Sequence, residues 1–197
     1  GARYYALGFG IDNYGYVGTG YNDNYLKDFY RFDPTAAAGS QWTIVNGFGG
    51  QKRQGGTAFV IDGKAYVCGG QNNNSDVSDF WCFDPSAATP WTQLRDIANT
   101  SDDDYDDDYT SIVRSYGVSF VIDGKAYLTL GSTAGGSYYS NYWIYDPATD
   151  LWEGDDLTAF EGSTRIHAVC FSTGTRGIVA TGSSGSSSYF DDTWELK

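Results

Sequence analysis

The 197-residue sequence predicts an all-β protein built from four antiparallel four-stranded units, the last lacking its outer strand. Three observations predict it: the composition, a segment that recurs four times, and a fixed order of strand-like runs after each recurrence. Twenty-six Gly, 17 Tyr, 11 Phe and 6 Trp stand against 4 Pro, a mixture of turn and aromatic packing residues that suits strands. Helix signals are almost absent.

The recurrence is anchored on arginine. Arg3-Tyr-Tyr-Ala-Leu-Gly-Phe9, Arg53-Gln-Gly-Gly-Thr-Ala-Phe59, Arg114-Ser-Tyr-Gly-Val-Ser-Phe120 and Arg165-Ile-His-Ala-Val-Cys-Phe171 are versions of one segment, spaced by 50, 61 and 51 residues. A second run follows each, ending in small residues at Gly20, Gly70, Gly131 and Gly182. The third runs are Asp28–Pro34, Asp79–Pro85, Asn141–Pro147 and Asp192–Leu196, and Trp42, Trp91 and Trp152 mark a fourth. The last copy has no such Trp run. The units span about 1–52, 53–113, 114–164 and 165–197, as segments of one domain.

Alternation along the Arg run sets the residues two and four after each Arg, including Leu7, Val118 and Val169, on one face. Small residues such as Ala6, Gly56, Gly117 and Ala168 fall on the other and let a neighbouring sheet approach. The Asp-Pro pair after the third run starts a turn and ends the ladder. A buried Trp contributes up to about 4–6 kcal/mol gross. A single sheet cannot bury two apolar faces, so the units are expected to stack around an axis as a β-propeller.

The order Arg-led strand, Tyr-x-x-Gly-Gly strand, aromatic-Asp-Pro strand and Trp strand resembles the kelch repeat over essentially the whole chain. Val17-Gly-Thr-Gly20, Lys27-Asp-Phe29 and the ending Asp192-Thr-Trp-Glu-Leu-Lys197 further resemble kelch proteins exported by Bacteroidetes, often as surface lipoproteins. The resemblance implies six or seven blades in a whole propeller, with the missing outer strand supplied from before Gly1. It also implies an exported location, at the outer-membrane surface or in the periplasm. The absence of Met agrees with a portion of a longer chain. A complete four-bladed ring, or two copies completing one ring, are the alternatives.

A formal net charge of −13 argues against nucleic-acid binding, which needs clustered Lys and Arg. No run is long enough to be an apolar membrane span, and no signal segment opens the chain. Cys68 and Cys82 lie about equally far from the turn between two predicted strands, so a disulfide is conceivable, but free thiols packed as small hydrophobes are favoured.

Several residues are candidates for function. In kelch propellers the Arg opening this strand often lies near the channel mouth, so Arg3, Arg53, Arg114 and Arg165 are candidate carboxylate contacts, with Tyr5, Tyr116 and His167 beside them. The competing expectation is that each Arg satisfies backbone carbonyls or an Asp. Within Ser101–Asp108, Asp102, Asp104, Asp106 and Asp108 are candidate Ca²⁺ ligands, against a solvated acidic loop. Hairpin loops rich in Tyr, Ser, Gly and Asn suit adaptable recognition as well as ordinary turns. The expected function is a non-catalytic module that binds a protein or a glycan. The alternative is a sugar mutarotase or epimerase using His167 at the channel mouth.

Overall fold

Each Arg-anchored copy folds into its own antiparallel sheet, as seen in a computed structural model that describes residues 1–154 and 159–196. The first blade runs β1 (Leu7–Ile11), β2 (Tyr14–Gly18), β3 (Phe29–Phe32) and β4 (Trp42–Val45). The second is β5 (Thr57–Ile61), β6 (Lys64–Cys68), β9 (Trp81–Phe83) and β10 (Trp91–Gln93), with a small hairpin, β7 (Gln71–Asn72) and β8 (Ser75–Asp76), after β6. The third is β11 (Val118–Ile122), β12 (Lys125–Thr129), β13 (Tyr142–Asp146) and β14 (Leu151–Glu153). The fourth has β15 (Val169–Ser172), β16 (Gly177–Ala180) and β19 (Thr193–Leu196), with a hairpin of β17 (Ser183–Ser184) and β18 (Ser188–Tyr189). Its sheet is three-stranded among the described residues.

Two-residue turns set the register of the first pairs. Asp62-Gly63 and Asp123-Gly124 take left-handed φ at both positions, the geometry that matches strand twist in a tight hairpin. Phe59 then faces Tyr66, and Phe120 faces Tyr127.

Successive blades stack around one axis as a β-propeller, and their seams form three apolar cores. Leu7, Ile11, Tyr16 and Phe29 meet Ala65, Val67, Phe83 and Trp91. Phe59, Tyr66 and Phe80 meet Leu128, Trp143, Tyr145 and Trp152. Val118, Phe120 and Tyr142 meet Val179 and Trp194. Backbone bonds cross each seam: the amides of Gly20, Gly70 and Gly131 donate to the carbonyls of Arg53, Arg114 and Arg165 at 2.8, 2.8 and 2.9 Å. Glycine is required there. Gly131 has φ +87°, and a Cβ on it would lie 2.6 Å from the Ser115 carbonyl oxygen.

Trp91 and Trp152 are buried, at 4% and 5% exposure, as the repeat predicts, but Trp42 is 55% exposed. Among the described residues no sheet lies against the outer face of the first blade or the far face of the fourth, where Phe171 is 58% exposed. The cysteines are all free thiols, with Cys68 buried. Among the described residues no helix is long and apolar enough to cross a membrane. The final Lys197 of the predicted ending lies outside the described residues.

Candidate functional site

The sheet alternation expected from each Arg begins only at the fourth residue, because the second residue leaves the strand geometry. Tyr5, Gly55, Tyr116 and His167 all have left-handed backbones, with φ of 55°, 63°, 58° and 59°. That turn reverses the fate of neighbouring side chains: each Arg goes inward, and the residue two positions on goes to the axis.

The arginines form a repeated internal clamp. Arg3, Arg53, Arg114 and Arg165 each donate to the carbonyl sixteen residues later, that of Thr19, Gly69, Leu130 and Thr181, at 2.9–3.1 Å. Arg3, Arg53 and Arg165 also pair with Asp28, Asp79 and Asp192. Arg114 meets the amide oxygen of Asn141 at 3.0 Å instead, together with the carbonyls of Ile112, Ser111 and Asn141. Arg53, Arg114 and Arg165 are at most 1% exposed. Of the two expectations for these groups, the geometry favours internal bonding: their donors are committed inside the blade and do not line the channel mouth.

What converges at the axis is the set two residues on. His167 stacks on Tyr5 with ring centres 5.2 Å apart and planes 5° from parallel. Tyr116 packs edge-on against both, at 5.0 Å and 4.7 Å. The second blade contributes no ring here. A Cβ on Gly55 would lie 2.4 Å from the Tyr116 ring, so the glycine makes room for that ring. The side-chain amides of Gln54 and Gln71 both donate to the Tyr116 hydroxyl at 2.9 Å. Burial raises the Tyr116 phenol above its ordinary value and lowers His167 below its own, so in both groups it favours the uncharged form.

The aromatic surface continues outward. Tyr5 meets Tyr4 at 5.0 Å, Tyr4 meets Tyr21 at 5.4 Å, and Tyr21 meets Tyr25 at 5.0 Å. It ends at a polar pocket of about 260 Å³ between the Asn-rich loops of the first two blades, lined by Asp23, Asn24, Lys52, Asn72 and Asn73 beside Tyr21 and Tyr25. Tyr4 and Tyr5 remain 53% and 43% exposed. Sequence reasoning missed Tyr4, Gln54, Gln71 and Lys52. The signal for Tyr4 was its place beside Tyr5, directly after the Arg.

The acidic insertion does not gather into a cation site. Asp104–Asp106 form a single 3₁₀ turn, and Asp106 turns inward to accept from the amides of Thr100 and Ser101 at 2.9 and 3.0 Å. Among the described residues no three His, Cys, Asp or Glu side chains are grouped to hold a metal ion. Of the candidate set Asp102, Asp104, Asp106 and Asp108, Asp106 is committed to the backbone of its own loop, which favours the acidic-loop expectation.

Comparisons with known proteins agree with this architecture. A family model described as "Kelch motif" matches residues 52–94, which span the second blade from the clamp Arg to just after the Trp strand. The chain is similar to a solved structure described as "Structure of YjhT", with 19% identity and a TM-score of 0.77. The likeness covers 99% of this chain and 63% of that one. No curated protein matches. The motif match in the second blade and the likeness of architecture agree with the β-propeller described above.

Proposed function

We propose that this propeller is an interaction module that binds a glycan or a protein segment on its axial face. The observation that carries the reading is the convergence of Tyr5, Tyr116 and His167 from three blades on one solvent-facing surface. Bulky residues with positive φ cost about 1–2 kcal/mol each relative to relaxed backbone. Thr19 and Leu130 also adopt it, but they are buried and their carbonyls hold the clamp arginines. Of the axial rings, Tyr5 and His167 are exposed and Tyr116 is half-buried.

Flat rings beside amide donors suit the apolar face and hydroxyls of a sugar, or an aromatic or amide-rich peptide. The Asn-rich pocket next to Tyr21 and Tyr25 extends the same surface with polar groups. An exported setting, at the cell surface or in the periplasm, goes with this reading on the sequence resemblance to exported kelch proteins. Titrating the protein with a panel of monosaccharides and oligosaccharides while following the His167 imidazole proton signals tests the site. Saturable shifts that vanish in Tyr116→Ala support it. Unchanged signals across glycans and peptide libraries would sink it.

A second reading rests on His167, a neutral imidazole at the same surface. Such a group can shuttle a proton during sugar ring opening, as a mutarotase requires. NMR line shapes of sugar anomers decide between the two. Faster interconversion that disappears in His167→Ala makes the protein an enzyme, and binding without exchange keeps it a module.

A further inference from the structure

At the end of each blade nearest its first hairpin stands a cation, and in three blades that cation has a carboxylate. Lys64 pairs with Asp84 at 3.1 Å, Lys125 with Asp146 at 2.8 Å and Arg176 with Glu195 at 3.2 Å. The first blade departs from this arrangement. Tyr14, opposite Ile11, stands where Lys64 and Lys125 stand opposite Ile61 and Ile122. The cation is displaced to Arg31, opposite Tyr16, at the position that Cys82 and Ile144 hold in the next two blades.

Arg31 joins no ion pair among the described residues. Its guanidinium lies over the Tyr14 ring, 4.5 Å from the centroid, and its Nε is buried with no hydrogen-bond partner. A buried donor on a cation is costly to leave unmatched. Asp33, two residues on, turns its carboxylate to the amide and hydroxyl of Thr35 at 2.8 and 2.7 Å. Arg31 and Thr43 share a row of the sheet with Tyr16, which packs on Phe83 with ring centres 5.2 Å apart, so the row faces the second blade. There they line a recess of about 310 Å³, whose other wall is Phe83, Pro85 and Pro90. That volume falls in the range of small-molecule sites, about 300–1,000 Å³. Both walls belong to the seam that the first two blades complete between them.

From this recess we infer a second binding site, for a small organic acid with one carboxylate and a flat or branched apolar body. Arg31 supplies the forked cation that a carboxylate matches, and the Tyr14 ring beneath it restrains the guanidinium. Phe83, Pro85 and Pro90 supply an apolar wall, in which the prolines have no amide hydrogen for an apolar body to leave unmatched. One cation in the recess matches one carboxylate, and the net charge of −13 on the chain disfavours further anionic groups. The recess shares no residue with the axial rings, so the inference does not rest on their role.

Amide chemical-shift titrations with benzoate and its neutral counterpart benzamide test the inference. Benzoate is expected to bind saturably and to move the backbone amides of Thr43 and Ala87, which line the recess, while benzamide binds at least about tenfold more weakly. Arg31→Leu puts an apolar residue where the third blade has Ile144, so it is expected to fold. It should weaken benzoate by about tenfold or more, the scale of a lost hydrogen bond to a charged group. Circular dichroism monitors folding, and Arg31→Gln takes the place of Arg31→Leu should that variant unfold. No saturable shift with benzoate, phenylacetate or isovalerate overturns the inference. So do shifts confined to the axial rings, equal binding of benzamide, or a benzoate affinity that survives loss of the cation.

Discussion

In the second blade Arg53 is clamped by the carboxylate of Asp79, whereas in the third Arg114 occupies the same socket with the neutral amide of Asn141. The bond to the carbonyl sixteen residues on is 3.1 Å in both. The third blade makes up for the absent carboxylate with the carbonyls of Ser111 and Asn141. Its guanidinium is nevertheless pushed down by burial to about 10, and it remains a cation at neutral pH. The blades differ again two residues later, where Gly55 faces Tyr116. The comparison separates what the repeat needs from what it permits. A buried fork of donors is needed, while the sign of its partner and the axial side chain are open to change.

The largest expected effect tests whether the carboxylate distinguishes the two sockets. Arg53→Leu strands Asp79, which is only 7% exposed, and is expected to cost about 3–5 kcal/mol. Arg114→Leu leaves only neutral acceptors and is expected to cost about 1–3 kcal/mol. Urea unfolding of both variants measures the difference, and equal costs would mean that the carboxylate contributes nothing specific. Next in size, Gly55→Ala puts a Cβ 2.4 Å from the Tyr116 ring at a residue with φ +63°. A loss of about 1–3 kcal/mol is expected, with displacement of Tyr116 from Gln54 and Gln71 visible in its ring proton shifts. Unchanged shifts would show that the second blade does not shape the axial cluster.

Asn141→Asp makes the third socket like the second and is expected to add about 1–2 kcal/mol at neutral pH, the scale of a charge-assisted hydrogen bond. The sign of its pH dependence follows from the fourth blade, where Arg165 holds Asp192 at about 2 against an ordinary 3.8. A carboxyl so depressed in the folded state stabilises above its unfolded value, and the gain is lost as pH falls through the folded one. Melting temperatures of variant and parent should therefore converge toward pH 2. A variant no more stable than the parent at pH 7 would show that the carbonyls already satisfy Arg114.

Much of the fold was legible because its repeated requirements fall on residue types with few substitutes. Only glycine fits where Gly131 meets the Ser115 carbonyl, and only arginine supplies the forked clamp, so both recur in every unit. The axial site was partly legible: Tyr5, Tyr116 and His167 were singled out as neighbours of the arginines. Their departure from the sheet was hidden, since only Gly55 of the four residues signals a left-handed backbone by its type. The acidic run left two readings open for a related reason. Composition reports six carboxylates, but not that Asp106 turns inward onto the amides of Thr100 and Ser101.

The smallest effect concerns the axial cluster and sharpens its contrast with the clamps below it. Partial burial lowers His167 from its ordinary 6.5, so the folded protein binds that proton less readily than the unfolded chain. Stability contributed by the neutral imidazole is present above pH 6.5 and is lost as pH falls through the lower folded value. His167→Asn retains a residue tolerant of φ near 59° and removes the titrating group, so its melting temperature should vary less between pH 7 and 5 than that of the parent. A titration of the His167 ring proton should have its midpoint below 6.5. A midpoint at or above that value would mean that Tyr5 and Tyr116 do not shield the ring, and that the axial surface is open to a charged imidazole and its acidic partners.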